Sequence, residues 1–475
     1  MKQIPSNILN TLNQDWQLRE EVLRNVVEER LAASPPPAFD DQIVVTYFLA
    51  LRSQTLNGWG KDFGYFATSG IKDPPPGSLI EECTGKGVGV DAFDASGQTG
   101  MVHVTIPLKM ILQPDGHLTS TDILHATCNA IVCDVYENVD ARLVRITIPE
   151  RVIESFPGPA YGPAALRAAN GFAPTDAVFG TILKPTAGIL PVDVGAMVEE
   201  AARCPLFLFV KEDENLFPHL DYSPVVERTR AAVEGIQRAA GERGTKGLIF
   251  APHITGSPNE ILDTVLAVLE AGATGVMFSE TFSGGTVRMV REATRDHERP
   301  PAIYGHNAGL GMKTRSVWRE VVDLLARLDG IDFRQTAPVL HGDPFIRPYG
   351  AEWEASEKAL TMPLGSIKPT MITRAGGLDQ GNLIMNLQDA EERGLTESIL
   401  FLAGSAINSI KNREGKADPR YGAEAMRQAI NVHHAGDLNG TPPADHVRIL
   451  LELARNKSLT ALADALEQRY PELAS

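Results

Sequence analysis

Between Phe209 and Phe217 the chain reads FVKEDENLF, an apolar run that breaks at once into a lysine, three acids and an asparagine. Residues two apart on an extended strand face the same way, so Lys211 and Asp213 share a side. Glu214 can swing in where strand gives way to loop. Two converging carboxylates form a hard-oxygen pair suited to Mg2+, which takes few protein ligands and keeps water or substrate oxygens. A lysine ammonium does not bind a cation. Lys211 is therefore either a counter-ion or an amine converted by CO2 into a carbamate, whose oxygens are anionic. A solvated salt-bridge cluster at a loop explains the same run on charge alone. Glu212 is left as the spare acid.

GTILKPTAG, Gly180 to Gly188, puts Lys184 at the end of an apolar strand before a small-residue turn. Burial at a barrel mouth disfavours an ammonium, so such a lysine can serve as a base beside a carbonyl. A surface lysine whose stem snorkels over apolar neighbours is the plain alternative. Glycines stand in RAGG (Arg374 to Gly377) and LAGSA (Leu402 to Ala406), where backbone N–H groups can approach an anion. His253 in APHITG and His306 in YGHNAG complete the set, although a lone histidine is more often structural. There is no HExxH, GxSxG, P-loop or GxGxxG fingerprint, so zinc proteolysis, serine hydrolysis and nucleotide-dependent transfer lack support.

These residues need elements to hold them. After about Ala165 come eight short strand-like runs: AVFGTILKP, LFLFVKEDE, GLIFAPHIT, GVMFSE, PAIYGHN, DFRQTA, KPTMITRAGG and SILFLAGSA. Helix-length stretches with apolar spacings of three and four, such as NEILDTVLAVLEAG, separate most of them. Eight alternating units without an obvious reversal predict a closed (β/α)8 barrel rather than an open sheet. Polar or glycine residues recur at the same end of strand after strand: Lys184, Lys211 with Asp213 and Glu214, His253, Glu280, His306, Gln335, Gly376 with Gly377, and Gly404 with Ser405. That end is where this fold carries its active sites, and the loops after the last two strands often hold phosphate.

Ahead of the barrel, residues 41–160 alternate strand-like IVVTYFLAL, MVHVTIPL and ARLVRITIP with a helix predicted over 120–135, an α+β domain. Residues 1–40 form a helical extension with Leu18, Val22, Leu23, Val26 and Val27 on one side, ended by SPPPAF. The barrel spans 161–440, and 441–475 form a second helical extension.

Composition narrows the partners. The chain has 475 residues, 43% hydrophobic and 22% charged, with a net charge of −16 and dispersed Lys and Arg. That balance argues against nucleic acid or an anionic membrane as the main partner, since either selects a basic face. The four cysteines lack metal or disulfide spacing, and neither a signal peptide nor a membrane-length apolar run is present, so a cytoplasmic protein is expected.

The motifs GTILKPTAG, FVKEDEN, VMFSETFSGG and IYGHNAG, in this order, resemble those of ribulose bisphosphate carboxylase large subunits and the carboxylase-like proteins related to them. The similarity runs from about Gln42 to about His434. The resemblance implies an α/β chain with an N-terminal ferredoxin-like α+β domain and a C-terminal (β/α)8 TIM barrel. It also implies homodimers in which the N-terminal domain of one copy completes the site on the other's barrel. Carried over, Lys211 becomes the carbamate lysine, Asp213 and Glu214 the Mg2+ ligands, Lys184 the enolising base, and His306 a neighbour of the substrate hydroxyls. Glu81 in EECTGKG and Asn129 in TCNAI match residues that cross the dimer interface, Asn129 as a catalytic residue and Glu81, with Thr84 of the same stretch, as substrate-binding residues. Gly376, Gly377 and Gly404, with Ser405, fall on one phosphate-binding region.

The departures are informative. The second lysine of the family's KPKxG motif is Thr186, and the lid stretch APVLHGDP (Ala337 to Pro344) has no lysine for a CO2-derived carboxylate. Asn307 replaces an arginine that holds the second phosphate, Gln335 a histidine, and Ala375 a serine. The pattern keeps the metal and the base but dismantles one anion site. It implies a carboxylase-like lyase or isomerase passing through an enediolate, acting on a phosphorylated sugar derivative with at most one phosphate. Decarboxylation of a 3-oxo sugar acid phosphate, of the 3-oxo-isoapionate-4-phosphate type, is the leading expectation. Isomerisation of a ketose 1-phosphate, as in methylthio-ketose salvage, is the alternative. True ribulose bisphosphate carboxylation and a non-catalytic sugar-phosphate-binding dimer stand behind them.

Overall fold

The computed structural model describes residues 16–244, 246–282, 284–339 and 349–473, with side chains from residue 20 onward. Residues 340–344 of the lid stretch, residues 1–15 of the first extension and the side chain of Leu18 lie outside that description.

The run QIVVTYFLAL becomes β1 (Gln42–Leu51), and its near-continuous burial is that of a central strand covered on both faces. It pairs antiparallel with β3 (Thr99–Pro107) and β4 (Asn138–Thr147), and β3 pairs with β2 (Gly87–Ala92), giving the order β2-β3-β1-β4. Helix α1 (Trp16–Ala33) precedes this sheet, α2 (Lys61–Phe66) joins β1 to β2, and α3 (Ser120–Thr127) joins β3 to β4. The connection is βαββαβ, the ferredoxin-like arrangement expected. Strand β2 has no counterpart among the strands read from the sequence, because Gly87 and Gly89 erase its β character. Both glycines are needed for close approach: a Cβ on Gly87 would lie 2.7 Å from the Lys61 backbone, and one on Gly89 2.7 Å from the His103 ring. The helix expected over 120–135 is two helices, broken at Cys128, with Asn129 capping the turn Ala130–Cys133.

Helix α1 turns Arg24, Val27 and Leu31 inward, while Val22, expected on its apolar side, is 55% exposed. Ions as well as apolar packing set its orientation. Arg24 pairs with Glu320 and lies 4.1 Å above the Trp318 ring, while Glu28 meets Arg145 of β4. The helix thereby touches both the sheet and the barrel.

The eight runs form eight parallel strands: β5 (Phe179–Ile182), β6 (Phe207–Lys211), β7 (Ile249–Ala251), β8 (Gly275–Phe278), β9 (Ala302–Gly305), β10 (Phe333–Thr336), β11 (Met371–Ala375) and β12 (Ile399–Ala403). Their order is β8-β9-β10-β11-β12-β5-β6-β7. The seam closes past the end of β7, where Met277 N–H donates to Pro252 O and Ile254 N–H to Met277 O, both at 2.9 Å. Around the barrel lie α4 (Pro191–Ala202), α5 (Val225–Arg243), α6 (Pro258–Glu270), α7 (Thr286–Ala293), α8 (Arg319–Asp329), α9 (Ala351–Thr361), α10 (Leu383–Glu392) and α11 (Pro419–His434). Then follow α12 (His446–Asn456) and α13 (Thr460–Arg469). Phe209, Tyr304 and Phe333 fill the barrel interior, Phe209 lying 4.7 Å from Phe333 and 5.5 Å from Tyr304 by ring centroids. Among the described residues, no helix is long and apolar enough to cross a membrane.

Candidate active site

Lys211 is the last residue of β6 and follows interior-facing Phe209 by two, so its side chain enters the barrel axis at the mouth. It is fully buried, with Nζ 5.7 Å above the Tyr304 ring. Its Nζ donates to the Glu212 carbonyl at 3.0 Å and lies 3.8 Å from Glu214 Oε2. Lys184, just past β5, donates to Asp213 Oδ2 at 2.5 Å, and His306 Nε2 meets Glu214 Oε2 at 3.2 Å. Five residues from three strand ends thus converge. Lys184 is not an isolated desolvated amine, as its place in the sequence suggested, because Asp213 supplies a counter-charge.

The charges explain one another. Burial drives the Lys211 amine down to about 8, partly opposed by Glu214 and Asp213. Burial alone would raise the Asp213 carboxyl, but the Lys184 hydrogen bond, with that of the Asn215 N–H, holds it below the usual value. Burial also pushes His306 well below an ordinary imidazole, with Lys211 adding to the effect. The Ala308 N–H donates to His306 Nδ1 at 3.1 Å, so the neutral ring carries its proton on Nε2, facing Glu214.

Glu212 is not a spare. It faces away from the mouth and forms a fully buried two-point pair with Arg228 of α5, at 2.6 and 2.9 Å, and accepts the His253 N–H at 2.9 Å. His253 is a brace: its Nδ1 donates to Leu216 O, so its Nε2 accepts from the Thr255 hydroxyl at 2.6 Å. The pairing fixes the strand end on which Lys211 and Asp213 stand. Arg228 had no sequence signal, being sixteen residues from its partner on another element. Asn215 had one: an Asp followed two residues later by Asn is the pattern of a side chain capping its own turn, and Asp213 Oδ1 accepts from the Asn215 N–H and Nδ2, each at 3.0 Å.

On the other side of the mouth, Gly404 lies beside Lys184, and a Cβ there would meet Lys184 Cε at 3.7 Å. Asn408, also unmarked in the sequence, joins the two strand ends by donating to Ile182 O at 2.7 Å and Gly404 O at 2.9 Å. Gly376 and Gly377 adopt φ of 98° and 75°, backbone that favours glycine, and Ser405 begins the turn after β12. Gln335 accepts from the Tyr304 hydroxyl in the barrel interior. Among the described residues, the chain's own contacts do not bring the remaining candidates to this cluster. Glu81 accepts from the Gly77 N–H, Thr84 donates to Ile80 O and so accepts from the Ser69 hydroxyl, and Asn129 donates to Ala67 O and Ala126 O, all within residues of the first domain.

Among the described residues, no three His, Cys, Asp or Glu side chains converge as a ready-made metal site. Asp213 and Glu214 offer two hard oxygens, and a third anionic ligand would have to be made on Lys211. The donor set fits: a buried amine driven down to about 8 has a substantial neutral fraction near neutrality, and only the neutral form attacks CO2.

Comparison with known proteins follows the same lines. The family description "Ribulose bisphosphate carboxylase large chain, catalytic domain" matches residues 165–468. An uncharacterized ribulose bisphosphate carboxylase-like protein of Bordetella bronchiseptica is 27% identical over 328 residues, 66% of this chain and 72% of that one. A 3-oxo-isoapionate-4-phosphate decarboxylase of Rhizobium rhizogenes is 24% identical over 322 residues, again 66% and 72%. Among solved structures, the octameric ribulose-1,5-bisphosphate carboxylase/oxygenase of Pyrococcus horikoshii superposes with a TM-score of 0.76 at 20% identity, covering 91% of this chain and 94% of that one.

Proposed function

Because the chain belongs to the ribulose bisphosphate carboxylase large-chain family, we propose that it is a Mg2+-dependent lyase that decarboxylates a 3-oxo sugar acid carrying one phosphate. The observation that carries this reading is the interleaved cluster in which buried Lys211 faces Glu214 and Lys184 donates to Asp213. Asp213, Glu214 and a carbamate on Lys211 would hold the ion. Bound Mg2+ supplies Lewis-acid stabilisation of negative charge developing on the ketone oxygen.

The chain's own residues account for the rest. In a 3-oxo acid the bond to the carboxylate breaks, its electron pair moves toward the ketone to give an enediolate, and CO2 leaves. The carbon that lost CO2 must then take a proton. Lys184, whose Nζ donates to Asp213 Oδ2, is the group placed to supply it. Neutral His306 keeps its Nε2 proton toward Glu214 and can hydrogen-bond a substrate hydroxyl without adding charge. Gly376, Gly377, Gly404 and Ser405 would take the single phosphate. The absence of a lysine in 337–344 and of an arginine at Asn307 supports a substrate with no second phosphate and no added carboxylate. The decarboxylase name borne by one relative agrees with this choice.

Incubation with Mg2+, bicarbonate and 3-oxo sugar acid phosphates in D2O tests the proposal. CO2 release with one deuterium gained at the carbon that carried the carboxylate is expected. Exchange into ketose 1-phosphates without CO2 would transfer the protein to the isomerase reading, and neither event with any substrate would sink both. A Lys211→Ala variant with full activity would remove the carbamate.

A further inference from the structure

The loops after β11 and β12 carry the candidate anion glycines, and both are fastened by helix α13 and the residue that follows it. Tyr470 donates its hydroxyl to Asp379, 2.8 Å from Oδ1 and 3.0 Å from Oδ2, and Arg469 lies 3.4 Å from the same carboxylate. Asp379 is 4% exposed and accepts the N–H groups of Gly381 and Asn382 at 2.9 and 3.1 Å. Asn382 in turn accepts the Asp379 N–H and donates to Gly377 O at 2.8 Å. The Tyr470 ring covers Gly381 so closely that a Cβ there would stand 2.8 Å from it. A continuous chain of hydrogen bonds therefore runs from Tyr470 to the carbonyl of the double-glycine turn.

The neighbouring loop is held by the same helix. Gln468 accepts the Lys411 N–H at 2.8 Å and donates to Lys411 O at 2.9 Å, gripping both backbone groups of one residue. Buried Gln380 ties the loops together by donating to Ala406 O at 2.6 Å. A glycine turn is cheap to distort, and its N–H groups bind an anion well only when they point at one place before it arrives. The contacts from α13 supply that constraint from outside the barrel.

Resting on the reading of Gly376, Gly377, Gly404 and Ser405 as the anion site, we infer that Tyr470 is a positioning residue for phosphate, acting through Asp379 and Asn382 on the Gly376–Gly377 turn. The test uses the full chain, inorganic phosphate, titration calorimetry, and hydrogen exchange read on peptides spanning 372–386. In wild type, phosphate should bind and slow exchange over 375–382. Tyr470→Phe keeps the ring over Gly381 and removes only the hydroxyl. It should weaken phosphate about fivefold or more and speed exchange in that peptide alone, with exchange in the rest of the barrel unchanged. Asp379→Asn is the second variant, and the double variant should lose little beyond either single one. Unchanged affinity in both single variants overturns the inference and leaves the anion site standing. Wild type that neither binds phosphate nor gains protection there overturns the anion site and the inference with it. Faster exchange across the whole barrel in Tyr470→Phe would show a merely structural role and also overturn it.

Discussion

At the scale of single residues, KEDEN divides its work by direction. Lys211 and Asp213 face the mouth, Glu214 reaches back to both Lys211 and His306, and Glu212 points outward to Arg228. Two fully buried opposite charges persist because each satisfies the other, and removing one partner leaves the second uncompensated. Glu212→Gln should therefore destabilise the fold by about 3–5 kcal/mol in urea unfolding. Loss below about 1 kcal/mol would show that the pair does not hold the strand end. The sequence displayed the inward residues, since alternation on a strand is local. It could not display the outward pairing, because nothing near Glu212 announces Arg228. Asn408 was hidden in the same way, as its partners Thr181 and Ile182 are brought to it by barrel closure, while Gly404 is one helical turn away.

At the scale of elements, the eight barrel strands were legible because each is a short apolar run ended by polar or glycine residues, while glycine-rich β2 was not. Element junctions were invisible to periodicity, and one of them titrates. The last residue of α8, Asp329, accepts a hydrogen bond from Ser120, the first residue of α3. Burial raises its carboxyl to about 6 in spite of that bond, and its Oδ1 is buried without a partner. Between about pH 4 and pH 6 the folded chain keeps a proton that the unfolded chain releases, so this group lowers stability as pH rises through that window and contributes a constant penalty above it. Asp329→Asn should be more stable than wild type at pH 7.5 by about 1–2 kcal/mol, with the difference vanishing below about pH 4. Denaturant midpoints of both proteins across pH 4–8 check this, and parallel curves would refute it.

At the scale of the whole molecule, the sequence placed Glu81, Thr84 and Asn129 with the site, yet among the described residues of one chain they bond within their own domain. Both regions present apolar surface. Leu79 and Ile80 beside Glu81 are 62% and 44% exposed, while Phe217, Phe282 and Met312, in the segments that follow β6, β8 and β9, are 57%, 58% and 63% exposed. Apolar groups gathered on two separate faces suit an isologous contact, in which each copy lays its first domain on the other's barrel. A site assembled this way needs a good barrel from one copy and a good first domain from the other. Asn129→Ala and Lys184→Ala should each be inactive alone. Co-expressed, random pairing makes half the dimers mixed, each with one intact site, so about a quarter of wild-type activity should return. Light scattering should give about twice the 51.4 kDa chain mass for every sample. Mixed samples of that mass with no activity beyond the two single variants would mean that Asn129 serves the barrel of its own chain or none.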